Sequence, residues 1–319
     1  MNKILKNALI CSAGMFCGLL NDLLLKNTLT VFLYHDVTEH PSEFSRTCNL
    51  NVPPEVFKYQ IKFIKNNFNI ISPDDLLEGS IPAKAALITF DDGFLGYFKN
   101  AIPILEKNEV PSIIFLNMEA IKGGVFYAGL ITYLCQKRAD FRRYLRDAVG
   151  DNLQEPLYRS CGRSIVKAYL KDTKEDFQKE VAEFTGAFAE EKNLDEACHH
   201  RLVYYGNHLY NHDISRLLSD EELLDSFFEN QKALKKYPNY RNMFAFPFGQ
   251  PQTSYTDDQT RLLLENGAEK LFSVSGRVNN NIHAACLDRL GLTFSHNSAS
   301  KIWFTVLKKK LFYYSPKQK

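Results

Sequence analysis

Two adjacent carboxylates, Asp91 and Asp92, are the first residues in the chain whose type and spacing could do chemistry. They follow an apolar run at 85–90 that is typical of a buried strand, and Gly93 comes directly after them. In parallel sheets and barrels, active sites are built at the carboxyl ends of the strands. Because neighbouring side chains diverge, one carboxylate could bind a metal while the other stays free as a base. The alternative is structural, since Asp-Asp-Gly also suits a turn and a helix N-cap.

A pair of histidines, His208 and His212, forms a second candidate group. Their i, i+4 spacing would put two imidazoles on one face of a helical turn, which is a geometry of metal ligands. They follow a strand-like run at 202–205 and precede a capping box at 219–222 that opens a helix. The pair therefore lies at another strand end, where it could meet Asp92. The alternative is coincidence, because the chain has eight histidines.

Two histidines and one carboxylate would leave an open coordination position for water. Such a set suits zinc, which is the expected metal, and also iron, cobalt, nickel or manganese. The metal would acidify its water and polarise a carbonyl, and the free carboxylate would take the proton. The chemistry predicted from these residues is hydrolysis without a covalent intermediate.

An aromatic turn follows a third strand-like run, at 243–246. Its residues could form one wall of a groove in which sugar rings pack on aromatic faces; they are Phe246, Pro247, Phe248 and Gly249. The alternative is a rigid turn at the end of a strand.

The elements that must position these residues alternate between short apolar runs and helix-like stretches. The alternation predicts an α/β fold, a parallel sheet with helices outside that is either open or closed into a barrel. The predicted strands lie at 29–34, 85–90, 112–116, 202–205, 243–246, 270–274 and 287–292. Helices are predicted at 54–67, 97–108, 220–236 and 256–266. The stretch at about 123–200 breaks this rhythm, and we expect it to be a helical insertion rather than a domain of its own.

Composition limits the classes of function. The chain has 319 residues, and its 39 basic and 37 acidic side chains give a net charge of +2. That balance argues against a nucleic-acid binder. The seven cysteines are scattered without a CxxC pair, which indicates a reducing compartment.

The two ends differ from the middle of the chain. Residues 1–28 contain an uncharged run at 8–20 that is too short to span a bilayer. We expect an amphipathic helix that lies on a membrane or on the domain, with a signal peptide or short anchor as alternatives. Residues 301–319 hold six lysines, no acid and many aromatic and aliphatic residues. They predict a basic helix on a membrane surface, or one that closes the barrel of residues 29–300.

The three motifs, in this order, resemble the NodB-like polysaccharide deacetylases (carbohydrate esterase family 4). The segment 32–37, Phe-Leu-Tyr-His-Asp-Val, is similar to the MYHxV start of a branch that includes poly-N-acetylglucosamine and envelope-glycan deacetylases. The resemblance implies a distorted (β/α) barrel of about seven strands and removal of an N-acetyl group from an amino sugar. It also implies that Asp92, His208 and His212 hold the metal and that Asp91 is the general base. The oxyanion would rest on the metal and a backbone N–H near Phe248.

The sequence departs from the family pattern in two places. Many members carry an arginine before the third motif's proline, where Ala245 and Phe246 stand here. We expect Arg289 to take over the orientation of the base. Many members also carry a late Leu-x-His that protonates the leaving amine, and neither His283 nor His296 has its flanks. The resemblance to the MYHxV branch assigns this acid role to His35, with a buried structural histidine as the alternative.

Three functional hypotheses follow. The first is a metal-dependent deacetylase of a glycan or a lipid-linked saccharide of the bacterial envelope. The second is a sugar-binding protein on the same scaffold that has lost catalysis, and the third is a deformylase of a lipid-linked sugar. We expect the protein in the cytoplasm, peripheral on the inner face of the membrane, with a periplasmic location as the alternative.

Overall fold

The computed structural model describes residues 18–311, which are built around a closed barrel of parallel strands. Strands β1, β5, β6, β7, β8, β9 and β10 form the barrel, and pairing of β1 with both β5 and β10 closes it. Strand β4 extends the sheet beside β5, and β2 pairs with β3. In chain order the strands are β1 (Leu29–Tyr34), β2 (Asp36–Val37), β3 (Asn51–Val52), β4 (Asn69–Ile70), β5 (Ala85–Asp92), β6 (Ser112–Leu116), β7 (Val203–Asn207), β8 (Tyr240–Ala245), β9 (Lys270–Ser273) and β10 (Cys286–Gly291).

Fourteen α-helices lie outside or at the ends of the barrel in the described range. They are α1 (Gly18–Leu25), α2 (Glu43–Thr47), α3 (Pro54–Asn67), α4 (Pro73–Glu78), α5 (Ile102–Lys107), α6 (Met118–Ile121), α7 (Tyr127–Lys137), α8 (Ala139–Val149), α9 (Arg163–Thr173), α10 (Gln178–Thr185), α11 (Glu191–Ala197), α12 (Asp220–Leu234), α13 (Asp257–Glu265) and α14 (Ala299–Leu311). A π-helical turn at Tyr97–Ala101 precedes α5, and 3₁₀ turns lie at Gly150–Asn152, Leu157–Ser160 and Ser215–Leu217. The predicted α/β barrel, its seven strands and the predicted outer helices are confirmed.

The strands fold as they do because their side chains are apolar on both faces. Every residue of β1 and β5 is buried, as expected for a parallel strand covered on both sides. Alternate residues divide between two clusters. Leu87, Phe115 and Leu287 belong to the cluster that fills the barrel, whereas Ile88 and Leu290 pack beneath the outer helices. This period of two places Asp91 and Arg289 on the inner face.

The insertion predicted at 123–200 is helical and comprises α7 to α11. It has an apolar cluster of its own, centred on Ile131, Leu134 and Phe141. Ile214 and Phe248, from loops that follow β7 and β8, pack against this cluster. The insertion therefore covers the carboxyl end of the barrel, where the candidate site lies.

Helix α14 packs on the barrel. Its Ile302, Trp303 and Val306 are buried. The centre of the Trp303 ring lies 5.3 Å from that of Phe63 and 5.6 Å from that of Phe68. Residues 301–311 thus lie in a helix that packs against the outside of the barrel. The expectation that the segment 301–319 lies on a membrane surface stays a prediction.

The predictions for the run at 8–20 and for the last residues of the chain fall mostly outside the described residues. Of the first 28 residues, the structure describes helix α1 and the turn that leads into β1. Between residues 18 and 311, no helix combines the length and the apolar character that crossing a membrane would require.

Candidate active site

The carboxylates of Asp91 and Asp92 both face the carboxyl end of the barrel, although neighbouring strand residues normally point to opposite faces. The backbone explains this. Asp91 continues the inward alternation of β5, while Asp92 adopts a left-handed conformation with φ of 74° and Gly93 follows with φ of 97°. Such conformations are costly for a residue other than glycine and concentrate at functional sites. The turn brings the second carboxylate back beside the first.

Asp91 forms a two-point ion pair with Arg289. Nη1 and Nη2 of the arginine donate to Oδ1 and Oδ2 at 2.6 and 2.7 Å, and Nε donates to the carbonyl of Ser273 at 3.2 Å. Arg289 is fully buried and its guanidinium lies 5.4 Å from the centre of the Phe115 ring. Burial by itself would raise the pKa of Asp91, but Arg289, together with His208 and His35, outweighs it and keeps the pKa below its usual range. Arg289 therefore lies where we expect, from the sequence, a residue that orients Asp91.

Asp92, His208 and His212 come together as a buried cluster. Nε2 of His212 lies 3.0 Å and Nε2 of His208 lies 3.4 Å from Oδ1 of Asp92. One ligand atom from each residue lies within 4.8 Å of the others, so the cluster could hold a metal ion.

The expectation that the two histidines share a helical turn is wrong. They lie in a loop after β7, and Leu209 and His212 both have a left-handed backbone, with φ of 59° and 57°. The i, i+4 spacing equals one helical turn, but here the loop reverses direction to aim both rings at Asp92. The left-handed residues at this site are four of the nine non-glycine residues with positive φ in the described range; they are Asp92, Leu209, His212 and Phe248.

The donor atoms are oriented for a metal. Nδ1 of His208 donates to the carbonyl of Ala245 at 2.7 Å, which leaves Nε2 free to bind. Oδ1 of Asp92 is buried, and no described residue satisfies it with a hydrogen bond. Burial by itself would raise the pKa of Asp92, but His212 and His208 outweigh it and hold the pKa well below the usual range. A buried carboxylate oxygen without a hydrogen bond, flanked by two imidazole nitrogens, fits a divalent cation.

Two buried asparagines, Asn207 and Asn230, hold the loop that carries His208 and His212, called here the histidine loop. Asn230 donates to Oδ1 of Asn207 at 2.8 Å and to the carbonyl of Leu116 at 2.7 Å. The same Oδ1 accepts the amide of Leu209 at 3.0 Å. Sequence reasoning did not find these residues, since an asparagine in a helix carries no signal of a distant partner.

The insertion also holds the histidine loop. Arg163, at the start of α9, binds the buried carboxylate of Asp213 with Nε–Oδ1 and Nη2–Oδ2 distances of 3.0 Å. Asp213 directly follows His212. Asn211, which directly precedes His212, donates a hydrogen bond to the carboxylate of Glu119 at 2.7 Å. The sequence analysis missed this ion pair, because its partners are 50 residues apart and neither belongs to a motif.

His35 lines the same cavity as the two aspartates and the two histidines. It stands one residue beyond Tyr34, which pairs with Phe90 of β5. Burial lowers the pKa of His35, and the charges of Asp92 and Asp91 oppose that shift. The late histidines are elsewhere: His283 is exposed, and His296 bonds to Thr293 and Thr305 near α14.

The aromatic turn contributes one residue to the cavity. Phe248 lines it, with its ring centre 5.1 Å from that of His212. The expectation that Phe246 also forms the wall is wrong. Phe246 has no exposed surface and stacks on Tyr255 at 3.8 Å. It directly follows β8, lies on the same side as Phe244 and so points to the outer helices. Pro247 and Gly249 are buried in the turn itself.

No protein-family model matches the chain. Over 94 residues it is 29% identical to a Bacillus subtilis (strain 168) protein, YxkH, whose name describes a polysaccharide deacetylase. That match covers 28% of the chain and 31% of the relative, so the chain spans less than a third of the length of this curated relative.

Solved structures of deacetylases are similar over most of the chain. IcaB from Ammonifex degensii aligns over 88% of the chain and 98% of its own length, with a TM-score of 0.57 and 18% identity. Streptococcus pyogenes deacetylase PplD, solved with acetate, aligns over 88% of the chain and 99% of its own, with a TM-score of 0.57 and 16% identity. A de-N-acetylase from Aggregatibacter actinomycetemcomitans aligns over 86% and 99%, with a TM-score of 0.55 and 15% identity. The predicted resemblance to the NodB-like polysaccharide deacetylases is confirmed, and these three structures share the fold.

Proposed function

We propose that this chain, which has the fold and the ordered motifs of the polysaccharide deacetylases, removes the N-acetyl group from an amino sugar in a glycan or lipid-linked saccharide of the bacterial envelope. One observation carries the proposal: a carboxylate held at two points, Asp91, lies in the same cavity as the Asp92–His208–His212 cluster. A carboxylate base beside a metal centre is the arrangement that amide hydrolysis by water requires.

The cluster would hold a divalent cation, and we propose zinc. Two imidazole nitrogens and one carboxylate leave a coordination position open, which is typical of catalytic zinc sites. When bound, the cation would polarise the acetamido carbonyl and lower the pKa of water. The charges of the site support a bound cation, because the carboxylates of Asp91 and Asp92 face only one guanidinium, that of Arg289. Neutral imidazoles can act as its ligands.

Two side chains, Asp91 and His35, would each carry out one of the two proton transfers. Asp91 accepts a proton from the attacking water at Oδ, and Arg289 holds the carboxylate so that its oxygen keeps one position. His35 would donate a proton to the leaving nitrogen as the carbon–nitrogen bond breaks and acetate forms with the free amine. The lowered pKa of His35 makes its imidazolium a stronger acid and reduces its protonated fraction at neutral pH.

The test is release of product from defined substrates. The purified protein, loaded with zinc, is incubated with chitooligosaccharides, alkyl N-acetylglucosaminides and the matching N-formyl compounds, and acetate and formate are measured. The proposal expects acetate release that Asp91→Asn abolishes. Formate release alone would favour the deformylase. A protein that binds no divalent ion and releases neither acid would support the inactive sugar-binding alternative.

We also propose that the protein works at the inner face of the membrane. The support is the basic charge of residues 301–319, which would attract anionic lipid, together with scattered cysteines typical of a reducing compartment. Cell fractionation tests it. Recovery in the membrane fraction with release by high salt is expected, and recovery in the periplasmic fraction would contradict it.

A further inference from the structure

The cavity at the active site is larger than an acetamido group needs. Its volume is about 660 Å³, within the range of sites that enclose a whole small ligand. It extends from Asp92 and His212 at the carboxyl end of the barrel to the helical insertion. The space beyond the reacting amide must therefore accommodate another part of the substrate.

The walls of that space are mostly apolar. They come from three sides: Leu33 and Val274 from the barrel, Phe44 from α2, and Phe126 and Leu157 from the insertion. Phe44 and Phe126 are buried and their ring centres lie 5.7 Å apart. Outside the metal cluster, its base and His35, Glu155 supplies the one charged side chain among the described residues that line the cavity. A few neutral polar side chains also reach it: Thr47, Thr132, Gln136 and Gln250.

Such a mostly apolar lining offers few partners to the hydroxyl groups of further sugar rings. Sugars need amide, carboxylate or hydroxyl partners, since a polar group that enters an apolar site without a hydrogen bond loses its hydration. Hydrocarbon gains free energy in the same place. The insertion supplies part of this lining through Tyr158. Its ring stacks on that of Phe248, with ring centres 5.1 Å apart and planes 17° apart.

We propose that this cavity binds a hydrocarbon chain of the substrate, so that the enzyme acts on a lipid-linked amino sugar rather than on a free polysaccharide. The inference rests on the proposed function and deepens it by naming the class of substrate. Phe44, Phe126 and Leu157 would select that class, since they line the space into which the chain extends.

A series of N-acetylglucosaminides with methyl, butyl and octyl aglycones tests the inference by acetate release, at concentrations below micelle formation. The expected result is a kcat/KM that rises with chain length, by at least about tenfold from methyl to octyl, since each buried methylene favours binding. Faster deacetylation of chitooligosaccharides than of the octyl compound would overturn the inference.

A variant that fills the cavity should remove this gain. Ala128 is 2% exposed and lines the cavity from α7, so Ala128→Leu puts a larger side chain into the space. The readout is the octyl-to-methyl ratio within each variant, which cancels a general loss of activity. Ala139→Leu, at an exposed position of α8, adds the same atoms outside the cavity and should keep the wild-type ratio. An Ala128→Leu ratio equal to that of the control would contradict the inference.

A binding measurement separates this inference from the proposed function. Octyl glucoside has the chain but no amide, and its dissociation constant is measured by calorimetry on wild type, Ala128→Leu and Leu157→Asn. Tighter binding to wild type than to both variants supports the apolar site even if no substrate is hydrolysed. Deacetylation of the methyl compound without any effect of the chain would leave the proposed function standing and overturn the inference.

Discussion

Arg289 and Asp91 are 198 residues apart in the sequence and form a two-point ion pair inside the barrel, with nitrogen–oxygen distances of 2.6 and 2.7 Å. The pair links β5, which carries the first motif, to β10, the last strand. Both oxygens of Asp91 accept from the same guanidinium, so the carboxylate cannot rotate. The orientation of the proposed base therefore depends on β10, where no catalytic motif of the sequence lies.

The first prediction concerns Arg289→Lys. Lysine keeps the positive charge but offers one point of contact, so Asp91 gains rotational freedom. We expect kcat for acetate release to fall by about 10²-fold, since small displacements of a base cost that much. Arg261→Lys, at an exposed position of α13, is the matched control and should retain wild-type activity. Wild-type kcat in Arg289→Lys would show that the two-point contact does not orient the base.

The second prediction concerns the metal. Zinc added to chelator-treated protein at about 1,000 times its dissociation constant should raise the free energy of unfolding by about 4 kcal/mol. Asp92→Asn removes the charged ligand, so we expect it to lose most of that stabilisation in urea titrations. Asp258→Asn, at an exposed position of α13, should respond as wild type does. Equal stabilisation of Asp92→Asn would place the metal elsewhere.

Much of the barrel could be predicted because its signals are local. Apolar runs at 29–34 and 112–116 give the bounds of β1 and β6 as the structure has them. The inward direction of Arg289 follows from the period of two along β10. The same period, applied to β8, would have shown that Phe246 faces the outer helices beside Phe244. The prediction fails because a single groove wall would need all four motif residues on one surface, whereas Phe246 still follows the alternation of β8 and only Phe248 reaches the cavity.

The histidine loop could not be predicted from spacing. A separation of four residues fits a helix as well as a loop, and only the left-handed backbone at Leu209 and His212 distinguishes them. The loop is held by contacts from distant elements, such as Asn230 of α12 and Arg163 of α9. Such contacts depend on how elements pack, and a single sequence does not encode them in a local pattern.

The third prediction addresses the contact between the insertion and the metal cluster. Arg163→Gln leaves the buried carboxylate of Asp213 without its counter-charge, beside the ligand His212. We expect zinc affinity to fall by about 10–100-fold, the effect typical of groups that support metal ligands from outside. Competition with a chromogenic chelator measures the dissociation constant.

A double variant provides the control for that prediction. Arg163→Gln with Asp213→Asn removes both charges, so no carboxylate is left buried without a partner. Zinc affinity should recover in part relative to Arg163→Gln alone. A double variant that loses the sum of the two single effects would show that the pair does not act on the loop as a unit.

The fourth prediction is a pH dependence of stability at Asp36, which lies outside the metal cluster. Burial raises the pKa of Asp36 from 3.8 to about 6. The native state therefore favours the protonated carboxyl, and this contribution to stability is complete below pH 3.8 and lost as the pH rises through about 6. Such a shift corresponds to about 3 kcal/mol at most.

Asp36→Asn tests this effect in the chelator-treated protein. Asparagine retains an oxygen for the Val37 amide but no charge, so we expect the variant to exceed wild type in unfolding free energy at pH 8 and to match it near pH 4. Urea titrations at both pH values measure the difference. A variant that is less stable at pH 8 would mean that the carboxylate has a favourable charged partner in the native state.

The fifth prediction separates the proposed acid role of His35 from a structural one. An amide nitrogen must gain a proton to leave, whereas the nitrophenolate of p-nitrophenyl acetate leaves without one. We expect His35→Gln to lower kcat for the N-acetyl sugar by about 10²–10⁴-fold and to change ester hydrolysis little, because the acid is needed in only one of the reactions. Asp91→Asn should impair both reactions, since the attacking water must lose a proton in each. Parallel loss of both activities in His35→Gln, with an unchanged melting temperature and zinc affinity, would indicate that His35 acts before the leaving group departs rather than as its proton donor.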